Sequence, residues 1–140
     1  MSQQNKIVAD FKDAFRRHRD DGDILFGQNR WANSDHLYGL AAECGLKAIM
    51  LGCGMAVDTN NTPTNKKHKQ HINNLWDEYI RFMQSNNTYI LSGANRFNDW
   101  DVNQRYSIQT DFTKLIVLNH KSGLSIIESI VNKAESDGVI

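Results

Sequence analysis

The run Asn33–Leu51, NSDHLYGLAAECGLKAIML, constrains the fold of this chain more than any other stretch. On a helix turning about 100° per residue it is apolar on nearly every side. Leu37, Leu40, Ala41, Cys44, Ala48 and Leu51 make one broad face, and Ala42, Leu46, Ile49 and Met50 cover much of the rest. A helix that is apolar all round has to be wrapped by other elements, so this one belongs at the centre of the fold. Asn33 or Ser34 can cap its start, and Asp35 falls in the first turn, where negative charge suits the helix dipole. Three ionisable residues interrupt the apolar surface. His36, Glu43 and Lys47 stand at i, i+7 and i+11, within about 40° of one another around the axis. Such groups are costly in apolar surroundings unless paired or open to water. Either Glu43 and Lys47 pair at i, i+4 while His36 bonds a carbonyl, or the stripe is a polar cleft facing another helix.

The chain has 140 residues, the size of one domain spanning 1–140, and its 40% hydrophobic content is that of a globular protein. Its formal net charge is zero and its pI is near 7.0, which excludes a globally basic nucleic-acid coat and leaves local patches. Cys44 and Cys53 fit neither a metal nor a disulfide pattern and read as reduced thiols of a cytoplasmic protein. The N-terminus has no apolar signal core, and no run is apolar enough to span a membrane, so no membrane partner is expected.

Four long helices follow from the periodicity. The first is expected from about Asn5 to Phe26, with Ile7, Phe11, Ala14, Phe15, His18, Gly22 and Leu25 on one face. Gly22 would allow close helix approach. The charge blocks Arg16, Arg17, Arg19 and Asp20, Asp21, Asp23 lack calcium-loop order and read as a solvated face. A third helix is expected from about Lys69 to Gln84, with Ile72, Leu75, Trp76, Tyr79, Ile80 and Met83 as its stripe. Lys66, Lys67, His68 and Lys69 crowd positive charge at its N-terminus, against the dipole. A bound anion would relieve that crowding, and so would a flexible loop. His68 and His71 share a face without a third ligand, so no metal is expected. The last helix is expected from about Ile108 to Asp137, with Phe112, Leu115, Ile116, Asn119, Ile126, Ile127, Ile130, Val131 and Ala134 inward and a kink at Gly123. Trp100, Arg105 and Tyr106 cluster at its mouth. Trp100 reads as core, and Arg105 needs either a carboxylate, for which Glu43 is a candidate, or an anionic ligand. The fold class is therefore all-α, an up-down four-helix bundle with room for a short fifth helix near Tyr89.

Three stretches together resemble the HEPN family of small helical-bundle proteins: NRWANSDHLYGLAAECGLKAIM, KKHKQHINNLW and FNDWDVNQRY, followed by a terminal A-x-x-x-DG. The resemblance covers most of the chain from Asn29 onward. It implies a four-helix bundle, often a homodimer, associated with RNA or nucleotides. Many such proteins are metal-independent endoribonucleases of prokaryotic toxin–antitoxin or antiviral systems, and others are non-catalytic partners of small nucleotidyltransferases. The ribonucleases carry Arg, four to six residues, then His, near the start of the last helix. Here Arg105 fits the arginine, but Thr110, Asp111 and Phe112 stand where the histidine would be. His120 is far beyond that spacing, and Arg30 to His36 has it on the wrong helix.

Metal-free RNA cleavage needs a base for the 2′-hydroxyl, a cation for the phosphorane and an acid for the leaving oxygen. Arg105 could be the cation, with His36 or His71 as acid or base. Glu43, Lys47, Tyr106, Lys67 and His68 are the accompanying candidates for ligand contact. Three functions follow: a HEPN-like RNA- or nucleotide-binding module that lacks the usual catalytic pair, a metal-independent endoribonuclease with a rearranged Arg/His site, or a purely structural interaction bundle. None of them calls for a cofactor.

Overall fold

The computed structural model describes residues 7–140 and is all-α, with four long helices and no strand among those residues. The first helix, α1, spans Phe11–Gly27, with Asp10 as N-cap accepting from the Asp13 amide at 3.0 Å. It therefore begins later than periodicity implies. Ile7 lies upstream of it and is exposed, while the expected start at Asn5 falls outside the described residues. Helix α2 spans Trp31–Gly52 and begins two residues before the expected caps. Ser34 is consequently inside the helix, buried, and its hydroxyl donates to the Gly22 carbonyl at 2.8 Å instead of capping. Helix α3 spans Ile72–Phe82 and α4 spans Lys114–Ser136. Both are shorter than expected: the 3-10 turn Lys66–Lys69 takes up the expected start of α3 and the 3-10 turn Gln109–Asp111 that of α4, while Val102–Tyr106 forms a further 3-10 turn upstream. The region around Tyr89 forms no fifth helix.

Helix α2 is the hub, packing against α1, α3 and α4. Its Tyr38, Ala41, Ala42, Leu46, Ile49 and Met50 are fully buried, as the all-round apolar pattern requires. α1 runs antiparallel to it, with Gly22 meeting Ser34 and the Phe15 ring lying where a side chain at Gly45 would go. α4 runs parallel to it, with His120 beside Asp35 and Ile127 beside Gly45. Contacts between α2 and α3 also ascend together: His71 meets Glu43, and Asn86 just past α3 meets Cys53 just past α2. The loop between them carries the chain back along α2, so these two helices do not trace the strict up-down alternation.

Close approach fixes two glycines. A Cβ at Gly22 would sit 2.8 Å from the Tyr38 ring, so Gly22 does allow α1 and α2 to pack closely. At Gly39 it would sit 2.0 Å from the Trp100 indole, which fills that space. α4 is continuous across Gly123, which makes room for Phe97 and Arg96. The buried face of α4 is Val117, His120, Leu124, Ile127, Val131 and Ala134, whereas Leu115 and Asn119 of the expected stripe are exposed. The charge blocks of α1 are only partly solvated. Arg16 pairs with Glu135, Arg19 with Glu128 at 3.5 Å, and Asp23 with Lys121 at 3.7 Å, tying α1 to α4.

Candidate functional site

The polar stripe of α2 is a paired network that also opens to solvent. Lys47 Nζ lies 3.0 Å from Glu43 Oε2, the expected i, i+4 pair. His71, at the N-cap position of α3, places Nδ1 2.8 Å from the other carboxylate oxygen of Glu43. The side chains of Lys47 and Glu43 are 7% and 13% exposed while His71 is 45% exposed, so a buried pair is continued outward by an accessible imidazole. Glu43 is thus occupied by Lys47 and His71, not by Arg105. Arg105 stands in the turn Val102–Tyr106, exposed, with its guanidinium 4.8 Å from the centre of the Tyr106 ring. Tyr106 is itself 76% exposed.

His36 finds no carbonyl. Its Nδ1 is buried without a partner, and its ring stacks on Trp100 at 5.9 Å between centres. Burial lowers its pKa from the ordinary 6.5, and the positive charge of Arg105 pushes the same way. His18 on α1 is lowered too, by burial and then by Arg17. His71 moves the other way: its hydrogen bond to the Glu43 carboxylate raises it, against burial and against Lys47 and Arg105. Lys47 and His71 contact Glu43 directly, while the charge of Arg105 acts on both His36 and His71 and the Asp35 carboxylate acts on His36. α3 also begins here with no acidic residue in its first turn.

Lys67 and His68 are placed differently. Lys67 is exposed on the turn Lys66–Lys69. His68 is buried, 3.8 Å from Glu78 and edge-on to Phe82. The helix face expected to join His68 to His71 does not exist, because the 3-10 turn ends before α3 starts.

A second polar centre escapes sequence reasoning. Asp35 is wholly buried, and its Oδ1 lies 2.6 Å from His120 Nδ1. Its Oδ2 accepts from Gln104 Nε2 at 2.6 Å, and its carbonyl accepts from Trp100 Nε1 at 3.0 Å. The other His120 nitrogen, Nε2, is 2.7 Å from Asp99 Oδ1, and the ring stacks on Phe97 at 5.3 Å. Burial opposes charge on His120, but Asp35 and then Asp99 outweigh it, and the net shift is upward. The available signal was the heptad phase of α4, which sets His120 among Val117, Leu124 and Ile127 on the buried face.

Among the described residues, no group of three or more His, Cys, Asp or Glu side chains is arranged to hold a metal, and no helix is long and apolar enough to cross a membrane. The free thiol of Cys44 is pushed up to about 12, by burial first and then by Glu43, which marks a packing residue and not a nucleophile. A cavity of about 580 Å³ lies beyond the C-terminal end of α2, lined by Cys53, Phe82 and Asn86 among others, away from the Glu43 cluster. No protein-family model, curated protein or solved structure matches this chain.

Proposed function

We propose that the chain is a HEPN-like module that binds RNA or a nucleotide through the face formed by Arg105, Tyr106, His71 and the α2 stripe. The observation that carries this reading is the exposed cation–aromatic pair of Arg105 and Tyr106. Behind it, Lys47 and the accessible His71, whose pKa is raised, share the Glu43 carboxylate, and the charge of Arg105 acts on both His36 and His71. The exposed Tyr106 ring beside the Arg105 guanidinium offers a stacking surface for a base next to a cation for its phosphate. A homodimer, or a complex with a nucleotidyltransferase partner in a toxin–antitoxin or antiviral setting, accords with the resemblance on which the reading also rests.

A specific observation favours a second reading, metal-independent RNA cleavage. Two imidazoles near one arginine are driven apart in pKa, His36 down and His71 up. That split suits a base and an acid at neutral pH. His36 would take the 2′-hydroxyl proton as the 2′-oxygen bonds to phosphorus. His71 would protonate the leaving 5′-oxygen as its bond to phosphorus breaks, and Arg105 would neutralise the phosphorane.

One experiment separates these readings. A labelled single-stranded RNA pool is titrated with the protein in EDTA at two salt concentrations, the parent beside Arg105→Ala. The binding reading expects salt-dependent affinity whose logarithmic slope falls by about 0.7 on loss of one phosphate contact. Cleavage that stops in Arg105→Ala and in His36→Ala or His71→Ala supports the second reading. Neither binding nor cleavage by a folded protein overturns both and leaves a structural interaction bundle.

A further inference from the structure

The segment carrying Arg105 and Tyr106 has its apolar anchorage at one end, where Trp100 is fully buried and Val102 packs partly buried against the core, and none from Asn103 to Tyr106. Between Asp99 and Tyr106 only Trp100 is buried. Three polar ties hold this stretch down: Trp100 to the Asp35 carbonyl, Gln104 to the Asp35 carboxylate, and Asp99 to His120. Asp101 then caps the following turn, accepting from the Asn103 amide at 2.7 Å while Gln104 returns to the Asp101 amide at 3.1 Å. Arg105 is therefore fixed one residue from a side chain that ends on Asp35.

His120 is the joint between these ties and α4. A neutral imidazole has one N–H and one lone pair, and so can donate to one carboxylate only. Whichever tautomer it took, its lone pair would face a carboxylate oxygen at 2.6 or 2.7 Å. The doubly protonated ring satisfies both contacts with charge-assisted hydrogen bonds. The charged groups facing the ring are Asp35 from α2 and Asp99 from the segment. On its own helix, Lys121 turns away to Asp23 and the Phe26 ring, and Arg96 packs one turn further along, at Gly123.

We propose that His120 is a positioning residue: as an imidazolium bridging Asp35 and Asp99 it ties the segment 99–106 to α2 and α4, steadies the turn that carries Arg105 and Tyr106, and loosens that turn when it loses its proton. The functional consequence rests on the binding face proposed above, but this clamp itself can be tested without RNA. Asp99 is the residue to change, because its side chain is 76% exposed and Asp99→Asn leaves the core intact.

Long-range nitrogen–proton NMR of the five histidines, with His120 assigned by its loss in His120→Gln, reports whether both ring nitrogens carry protons. The parent is expected to hold the doubly protonated form at pH 7 and to lose it at higher pH. In Asp99→Asn the His120 midpoint should fall. The amides of Asp101–Tyr106 should exchange about tenfold faster than in the parent at the same pH, the value of one charge-assisted hydrogen bond discounted for an exposed partner, while those of α2 are unchanged. A neutral His120 at pH 7, or a segment that exchanges alike in both proteins, overturns the clamp. If the clamp behaves as stated and neither protein binds RNA, the binding reading fails and the clamp stands.

Discussion

Gly39→Ala is the sharpest test of how the Trp100 segment is seated. The added Cβ would fall 2.0 Å from Cε2, 2.2 Å from Nε1 and 2.3 Å from Cζ2 of the indole. Ordinary contact begins near 3.4 Å, so the ring has to retreat by more than an ångström. It has nowhere to go, being 1% exposed, with its Nε1 donating to the Asp35 carbonyl at 3.0 Å. Overpacking of this kind costs about 1–3 kcal/mol, and the strained indole hydrogen bond adds about 1 kcal/mol. Replacing a mid-helix glycine by alanine returns about 1 kcal/mol. The net loss is about 2 kcal/mol, which for a domain of this size lowers Tm by about 8 °C. Gly27→Ala is the matched control, because nothing lies within 4 Å of a Cβ there and its backbone is not left-handed. It should be neutral or slightly stabilising. Thermal melts followed by circular dichroism, with urea unfolding beside them, give both numbers. A Gly39→Ala protein as stable as the parent, or two variants that shift alike, would refute the placement of Trp100 against α2.

Two further predictions concern the core and the Glu43 network. Glu43→Gln leaves Lys47, 7% exposed, without its carboxylate, and should cost about 3 kcal/mol in urea unfolding, the lower end for a broken buried pair. The same change removes the group that raises His71, so the His71 midpoint should fall in an NMR titration. The sign for stability follows: His71 contributes fully below the ordinary value of 6.5, and the contribution fades as pH rises through its raised pKa, a slope that Glu43→Gln should abolish. Phe15→Ala empties a fully buried site between α1, α2 and α4 and should cost about 3–5 kcal/mol by the same unfolding assay.

What the sequence made legible was local. The burial of α2 follows from the apolar pattern of Asn33–Leu51, and the Glu43–Lys47 pair from four-residue spacing on one helix. The errors have equally local causes. Expecting α4 from Ile108 treats the 3-10 turn Gln109–Asp111 as helix and takes exposed Leu115, in place of buried His120, as a core position. Starting α2 at Asn33 made Asp35 a first-turn dipole partner, when it is a fully buried carboxylate in the helix interior. The remaining parts of the candidate site join distant residues. Glu43 and His71 are 28 apart in sequence, and Asp35 and His120 are 85 apart. No helical period links such pairs, and only the packing of α3 and α4 on α2 brings them together.

Those separations also set an order of assembly. The hydrogen bonds that join α1 to α2 span 12 and 15 residues, so this hairpin closes a short loop at little entropic cost. The Asp35–His120 contact closes a loop several times longer, and non-local contacts of that kind form late in folding. A chain emerging from the ribosome can therefore build the α1–α2 hairpin while the residues of α4 are still being added. His36, Glu43 and Arg105 are all made before His120. The turn that carries Arg105 gains its tie to α4 only when that helix docks, so a truncated or nascent chain lacks the Asp35–His120–Asp99 contacts.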